Sequence, residues 1–378
     1  MVAENDKKET FLSDIPFLSK LDSYIRKKHM VKKKTSKNKK KKKFRLSKSK
    51  HNPIITPDPD NEWEAWQTFN PAAVEINNRV HFLYRAVGDG GGSRFGYANS
   101  KDGFKLDKRF PDPVYEHESI GGPYKYYYSA SGGSFEGCED PRMVKFENEG
   151  KIYVTYTACD GGLRVGLTSI EIDDFVNGKW NWSRSQIISP PGEVHKNWVI
   201  FPEKINGKYA ILHSISPEIS IKYVDSLDFD RDQFIHSYYH PGDPCNRWDS
   251  YMRGAGPPPI ETDDGWLLLY HAMNHDDMGN YKVGAMLLDK EDPTKILHRC
   301  DQPLLVPEEY YENEGFKAGV VYASGAVVKD DKLIVYYGGS DSYVCAAYAN
   351  FDRFMERLKS EKKKPVRSRF LKFFKSLR

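Results

Sequence analysis

Cysteine is scarce in this chain of 378 residues, and long apolar runs are missing. The five cysteines, Cys138, Cys159, Cys245, Cys300 and Cys345, are odd in number, and no pair has metal-ligand spacing. That argues against a disulfide framework and a cysteine-based zinc site, and for free thiols in a reducing setting. No apolar stretch is long enough to span a bilayer, and the N-terminus shows no apolar segment of a secretory signal. A cytoplasmic protein is therefore expected. No His/Cys/Asp cluster has ligand spacing either, so neither a metal nor another cofactor is expected.

The formal net charge of +4 conceals a strong asymmetry. Residues 1–50 carry 18 Lys and Arg against 5 Asp and Glu, and residues 353–378 carry 11 against 2. Residues 51–352 hold the remaining 28 basic and 46 acidic side chains. An acidic central region makes nucleic acid an unsuitable specific partner for it. The expected organisation is a basic, largely disordered extension over 1–50, one domain over 51–352, and a basic amphipathic tail over 353–378. Lys32–Lys50 lacks the apolar surface a fold needs. Phe11, Leu12, Ile15, Leu18, Leu21 and Ile25 approach helical spacing, interrupted by Pro16. The stretch RSRFLKFFKSLR, from Arg367, mixes aromatic and basic residues in a pattern suited to an anionic membrane surface. A peripheral location at the inner membrane face follows as an expectation.

What the chain does have is a repeat. NPAAVEINNRVHFLYRA begins at Asn70, EDPRMVKFENEGKIYVTYTA at Glu139, FPEKINGKYAILHSI at Phe201, GPPPIETDDGWLLLYHA at Gly256 and SGAVVKDDKLIVYYGGS at Ser324. Each copy is a small-residue or proline corner, a polar turn, and a strand rich in aromatic and branched residues. A second strand signal follows each, at Arg94, Leu163, Ile219, Tyr281 and Tyr343. The pairs Asn77-Asn78, Glu149-Gly150, Asn206-Gly207, Asp264-Gly265 and Asp330-Asp331 suit tight hairpins, where positive φ is favoured. Strand-built repeats more than fifty residues apart indicate propeller blades. An ordinary β-sandwich has short, even strand spacing without so long a period. The expected fold is all-β, a five-bladed β-propeller. Its equivalent corners, Asn70 and Asp140 among them, should converge on the central channel.

The corner Glu139-Asp140-Pro141-Arg142 places two carboxylates and a guanidinium together. Adjacent acids raise one another's pKa, so one is expected to stay protonated as a general acid. The plainer alternative is a turn capped by Asp140 and paired with Arg142. Taken with NPII at Asn52, FNPA at Phe69, FLYRA at Phe82, GYANSKDG at Gly96, YVTYTA at Tyr153, KNWVIFPEKINGKYAILH at Lys196, GAGPPPIETDDGWLLLYHA at Gly254 and YYGGSD at Tyr336, this corner resembles glycoside hydrolase family 130, the β-mannoside phosphorylases and related hydrolases. The resemblance covers roughly Asn52 to Asn350 and rests on the order and spacing of these segments.

The resemblance implies a β-mannoside-active enzyme of the propeller fold, with an oligosaccharide substrate. It implies that Asp140 is the general acid of an inverting reaction, protonating the leaving oxygen through a sugar hydroxyl. It implies that Asn70, Arg85 and Asp341 hold the mannosyl unit. Inorganic phosphate would be co-substrate, bound by Lys196, His271 and Tyr281. One family feature is missing: the arginine expected after the third-copy strand is Ser214. Arg253, ahead of the fourth corner, is a candidate substitute. A hydrolase would instead need a carboxylate to activate water. Glu203 and Asp249 lie near the same corners, although a structural turn or salt bridge is the preferred reading of both. Phosphorolysis giving α-mannose 1-phosphate is the leading expectation, hydrolysis the alternative, and a non-catalytic carbohydrate-binding propeller the alternative of another class.

Overall fold

The architecture comes from a computed structural model that describes residues 44–120, 136–159 and 162–361. Each repeat forms an antiparallel three-stranded meander. The first runs Gln67–Ile76, Arg79–Val87 and Gly92–Ser100. The second runs Glu136–Phe146, Lys151–Cys159 and Leu163–Glu171. The third, Val199–Ile200, Tyr209–Ser214 and Ser220–Val224, is the shortest. The fourth runs Tyr251–Ala255, Gly265–Met273 and Lys282–Leu288, and the fifth Val321–Lys329, Lys332–Gly339 and Tyr343–Asn350. A short parallel pairing, Gly92 to Glu136, merges the first two meanders into one sheet.

The turns follow their residues. Asn77-Asn78, Asn206-Gly207 and Asp330-Asp331 all take positive φ, as mirror-image two-residue hairpins require. The second meander turns through a short 3₁₀ segment ended by left-handed Gly150, and the fourth through Asp263-Asp264 between the paired Thr262 and Gly265.

The central strands are apolar almost throughout because both faces are covered, and period two sorts their side chains between neighbours. In the first meander Leu83 packs toward the second, while Phe82 and Tyr84 pack toward the fifth. In the fourth, Leu267 and Leu269 face the fifth, and Trp266, Leu268 and Tyr270 the third. Val144 and Leu167 of the second meander pack with Ile211 of the third. Each meander thus shares a buried cluster with the next, and the fifth shares one with the first. Inside three meanders a tyrosine lies across a strand from a glycine: Tyr84 on Gly96, Tyr156 on Gly166, Tyr270 on Gly284. A methyl group at any of these glycines would lie within 2.6 Å of the ring.

The folded unit reaches past both expected boundaries. Ser47–Lys48 pairs with Tyr348 and Ala347, and Leu46 is buried. Phe351–Ser360 is a helix that buries Phe354, Met355 and Leu358 in the cluster between the fourth and fifth meanders. Phe44 packs on Phe354 at 5.1 Å. The expectation of disorder up to residue 50 and of a tail from 353 is corrected at these residues: apolar side chains at i, i+1 and i+4 give the helix one buried face, and Phe44 and Leu46 close over it. Residues 11–25, 32–43 and 367–378, read above as helical, disordered and membrane-directed, lie outside the described residues.

Candidate active site

In four meanders the first strand breaks register at a comparable point: Phe69/Ala72, Glu139/Arg142, Met252/Gly254 and Ala323/Gly325. Bulges re-aim the side chains beside them. Asn70 (φ 44°) and Asp140 (φ 51°) occupy two of these breaks in the left-handed region, as does Asn197 (φ 65°) ahead of the third meander. Asp341 (φ 50°) takes the same conformation after the central strand of the fifth. Asn and Asp tolerate it best among residues with side chains. These corners open into one narrow cleft, with room of about 30 Å³ between the side chains that line it.

Six of the seven residues expected at the site line that cleft: Asn70, Arg85, Asp140, Lys196, Tyr281 and Asp341. Asn70 Nδ2 donates to Asp140 Oδ1 at 2.7 Å, and Arg85 Nη1 donates to the same oxygen at 3.2 Å. Arg85 Nη2 and Lys196 Nζ donate to the two oxygens of Glu139, each at 2.9 Å. Lys196 Nζ lies 3.8 Å from Asp140 Oδ2. Arg142 donates to the Asp140 carbonyl at 2.5 Å and the Gly256 carbonyl at 2.7 Å, fixing the strained corner from below.

This geometry corrects the expected protonation state. Burial opposes ionisation of Asp140, but Lys196, Arg85 and Arg142 overcome it, and the carboxyl falls well below the usual carboxylate range. The two oxygens of the neighbouring Glu139 are occupied by Arg85 and Lys196. The carboxyl that rises is Asp341: burial pushes it up to about 6, against the pull of Lys317 and Arg85.

His271 is not at the cleft surface. It is fully buried, stacked behind Tyr322 with centroids 3.9 Å apart, and Nε2 is 2.6 Å from the Ala323 carbonyl. Burial, reinforced by Arg142, brings its pKa down to about 3. In this arrangement the ring is held by a backbone carbonyl behind Tyr322 and does not line the cleft where its phosphate contact was expected.

Ser214 donates to the Ser216 carbonyl at 2.9 Å and does not line the cleft, whereas Arg253 does. The candidate water-activating acids are elsewhere. Asp249 is buried between Arg247, Arg299 (2.6 Å) and the Tyr270 hydroxyl (2.7 Å). Glu203 is an exposed side chain whose carboxyl is raised by partial desolvation and by the neighbouring Glu261. Asp249 thus sits in a buried ion-pair network, and neither acid lines the cleft. The sequence reading missed Asn197, Lys317, Val320 and Tyr322, which complete the cleft wall. Asn197 Oδ1 accepts from Arg142 and the Tyr322 hydroxyl. The positive-φ asparagine was a usable signal; Lys317 and Tyr322 belong to no motif. Among the described residues no group of His, Cys, Asp and Glu forms a metal site.

An all-β scaffold whose register breaks turn amide, carboxylate and cationic groups into one cleft suits a ligand rich in hydroxyl and anionic groups. Comparison with known proteins makes the class specific. The family model described as β-1,4-mannooligosaccharide phosphorylase matches residues 32–360. A 1,2-β-oligomannan phosphorylase of Thermoanaerobacter sp. (strain X514) is 38% identical over 316 residues, 80% of this chain and 97% of that protein. A β-1,2-mannobiose phosphorylase of the same organism is 33% identical over 319 residues, again 80% and 97%. The solved β-1,2-mannobiose phosphorylase of Listeria innocua, in complex with β-1,2-mannobiose, superposes with a TM-score of 0.64 at 26% identity, covering 84% of this chain and 99% of that one. The chain belongs to glycoside hydrolase family 130 and is an enzyme acting on β-mannosides. Inorganic phosphate is the co-substrate of the family's phosphorylases.

Proposed function

We propose that this enzyme is an inverting phosphorylase that cleaves β-mannosides with inorganic phosphate to give α-mannose 1-phosphate. The observation carrying this reading is the surplus of cations in the cleft. Arg85, Lys196, Arg253 and Lys317 line it against Asp140 and Asp341, and among the described residues Arg253 has no ion-pair partner. A phosphorylase has to hold an anionic nucleophile and needs no base to generate it.

In this reading Asn70, Arg85 and Asp341 hold the mannosyl unit, and Lys196, Tyr281 and Arg253 take phosphate, Arg253 standing in for the arginine absent at Ser214. A phosphate oxygen bonds to C1 as the C1–O bond to the leaving sugar breaks. The leaving oxygen receives its proton from Asp140, through a sugar hydroxyl. Asp140 is ionised in the empty cleft, so the proton enters with phosphate. The incoming negative charge offsets the cations that hold the carboxylate ionised and raises its affinity for that proton. The five meanders are the blades of a five-bladed propeller; the shared cluster and the Ser324 hydroxyl bonded to the Pro71 carbonyl at 3.1 Å, linking fifth to first, support closure.

The test is incubation with β-1,2- and β-1,4-mannobiose, with and without inorganic phosphate. Phosphate-dependent mannose 1-phosphate supports the reading. Free mannose formed without phosphate would establish a hydrolase and direct attention to Asp341 as the carboxylate activating water. Sugar binding without either product would establish a binding module.

A further inference from the structure

We infer that Lys317 is a phosphate-binding residue, supplying a cation from a segment outside the five repeats. The inference rests on the phosphorylase reading above. Of the four cations lining the cleft, Arg85 and Lys196 are already engaged: both donate to Glu139, and Arg85 also donates to Asp140. The charge left for an arriving anion therefore comes chiefly from Arg253 and Lys317. Their head groups share the Tyr281 ring, with the Arg253 guanidinium carbon 6.0 Å and the Lys317 Nζ 5.1 Å from its centroid. Among the described residues Lys317 makes no salt bridge; it lines the cleft together with Asp341, whose ionisation its charge favours. Lys317 thus shares the cleft with a residue expected to hold sugar and lies over the tyrosine expected to hold phosphate.

The segment is built to hold it there. Gly315 packs so closely on the corner before the fifth meander's last strand that a Cβ would lie 2.2 Å from Ser340 Oγ. The Phe316 amide donates to Ser342 Oγ at 2.8 Å, and the Lys317 amide to the Ser340 carbonyl at 2.9 Å. Gly319 follows at φ 78°. Constraints at four of the five residues 315–319 fix the backbone from which the lysine projects, so little ordering is needed when an anion binds. The same corner carries Asp341, which links the position of the cation to that of the mannosyl-binding carboxylate.

The test compares wild type with Lys317→Met and Lys317→Arg in phosphorolysis, varying phosphate and mannobiose separately. Lys317→Met should raise the KM for phosphate about ten- to hundredfold, the loss expected for one charge-assisted hydrogen bond, with the KM for mannobiose changed less than about threefold. Lys317→Arg should recover most of the phosphate affinity. Calorimetric titration of each folded variant with inorganic phosphate alone gives the same comparison without turnover. An unchanged phosphate KM and affinity in Lys317→Met, beside a phosphate-dependent wild type, would overturn the role of Lys317 and leave the phosphorylase reading standing. Equal rises in both KM values would also overturn it, as damage to the cleft. A wild type whose turnover ignores phosphate would overturn the phosphorylase reading and this inference together.

Discussion

Asn70 and Asp140 face each other across two meanders, amide nitrogen to carboxylate oxygen at 2.7 Å, each at a register break and each in left-handed backbone. The hydrogen bond joins repeat to repeat at the point where chemistry is expected. Replacing Asp140 by Asn keeps the volume and the φ tolerance but removes the acid. Phosphate-dependent turnover should fall by at least a hundredfold, the typical scale of a lost general acid, while mannobiose binding measured by calorimetry stays within about threefold. Retained turnover would remove Asp140 from the role of acid.

Arg85 is the cation under this corner, fully buried and donating to both Glu139 and Asp140. Arg85→Met leaves two buried carboxylates short of a partner. Breaking such a pair from one side costs about 3–5 kcal/mol, because the remaining charge keeps its desolvation penalty. Urea unfolding at pH 7 should show that loss. Arg85→Met/Glu139→Gln should recover part of it, and no recovery would mean the penalty arises from packing on Phe69, 4.6 Å from the guanidinium.

The repeat was legible in the sequence because it has a local physical cause. Turn pairs that accept positive φ, and strands apolar on both faces, can be read without any long-range contact. Asn70, Arg85, Asp140 and Asp341 were legible as motif residues, and the structure brings them into one cleft. What was not legible depends on distance. The pKa order of Asp140 and Asp341 is set by Lys196, Arg142 and burial, none of which the adjacent pair Glu139-Asp140 reveals. His271 belongs to a recognisable strand, LLLYHA, but which face of that strand reaches the cleft is decided by Tyr322 stacking over it. Lys317 reaches the cleft from a loop with no repeat signature.

The helix Phe351–Ser360 is part of the fold, not of a tail, so its apolar face carries stability. Phe354 is 2% exposed and packs on Phe44. Phe354→Ala should cost about 3–5 kcal/mol in denaturant unfolding, in the range for a large aromatic removed from a core. Glu356→Ala, on the exposed side of the same helix, should change stability by less than about 0.5 kcal/mol. Equal effects would show that the helix is not docked in solution.

Asp341 supplies the clearest pH signature. Its carboxyl titrates near 6 in the folded protein, against 3.8 for the unfolded reference, chiefly because burial disfavours the charge. A native state that holds a proton more tightly than the unfolded chain loses stability as pH rises through that window. Below about pH 4 the group is protonated in both states and contributes nothing. Between about pH 4 and pH 6 stability should fall, and above pH 6 the full penalty of roughly 3 kcal/mol remains. Asp140 contributes no slope there, since its folded pKa lies below its unfolded one and its contribution is lost only as pH falls further. Asp341→Asn should therefore stabilise the protein at pH 7.5, by up to about 3 kcal/mol, and leave it nearly unchanged at pH 4. Parallel unfolding curves for wild type and Asp341→Asn at the two pH values decide the matter. A stability difference independent of pH would show that the ionised carboxylate is already solvated or paired in the folded protein, and that the cleft does not hold Asp341 at the edge of protonation.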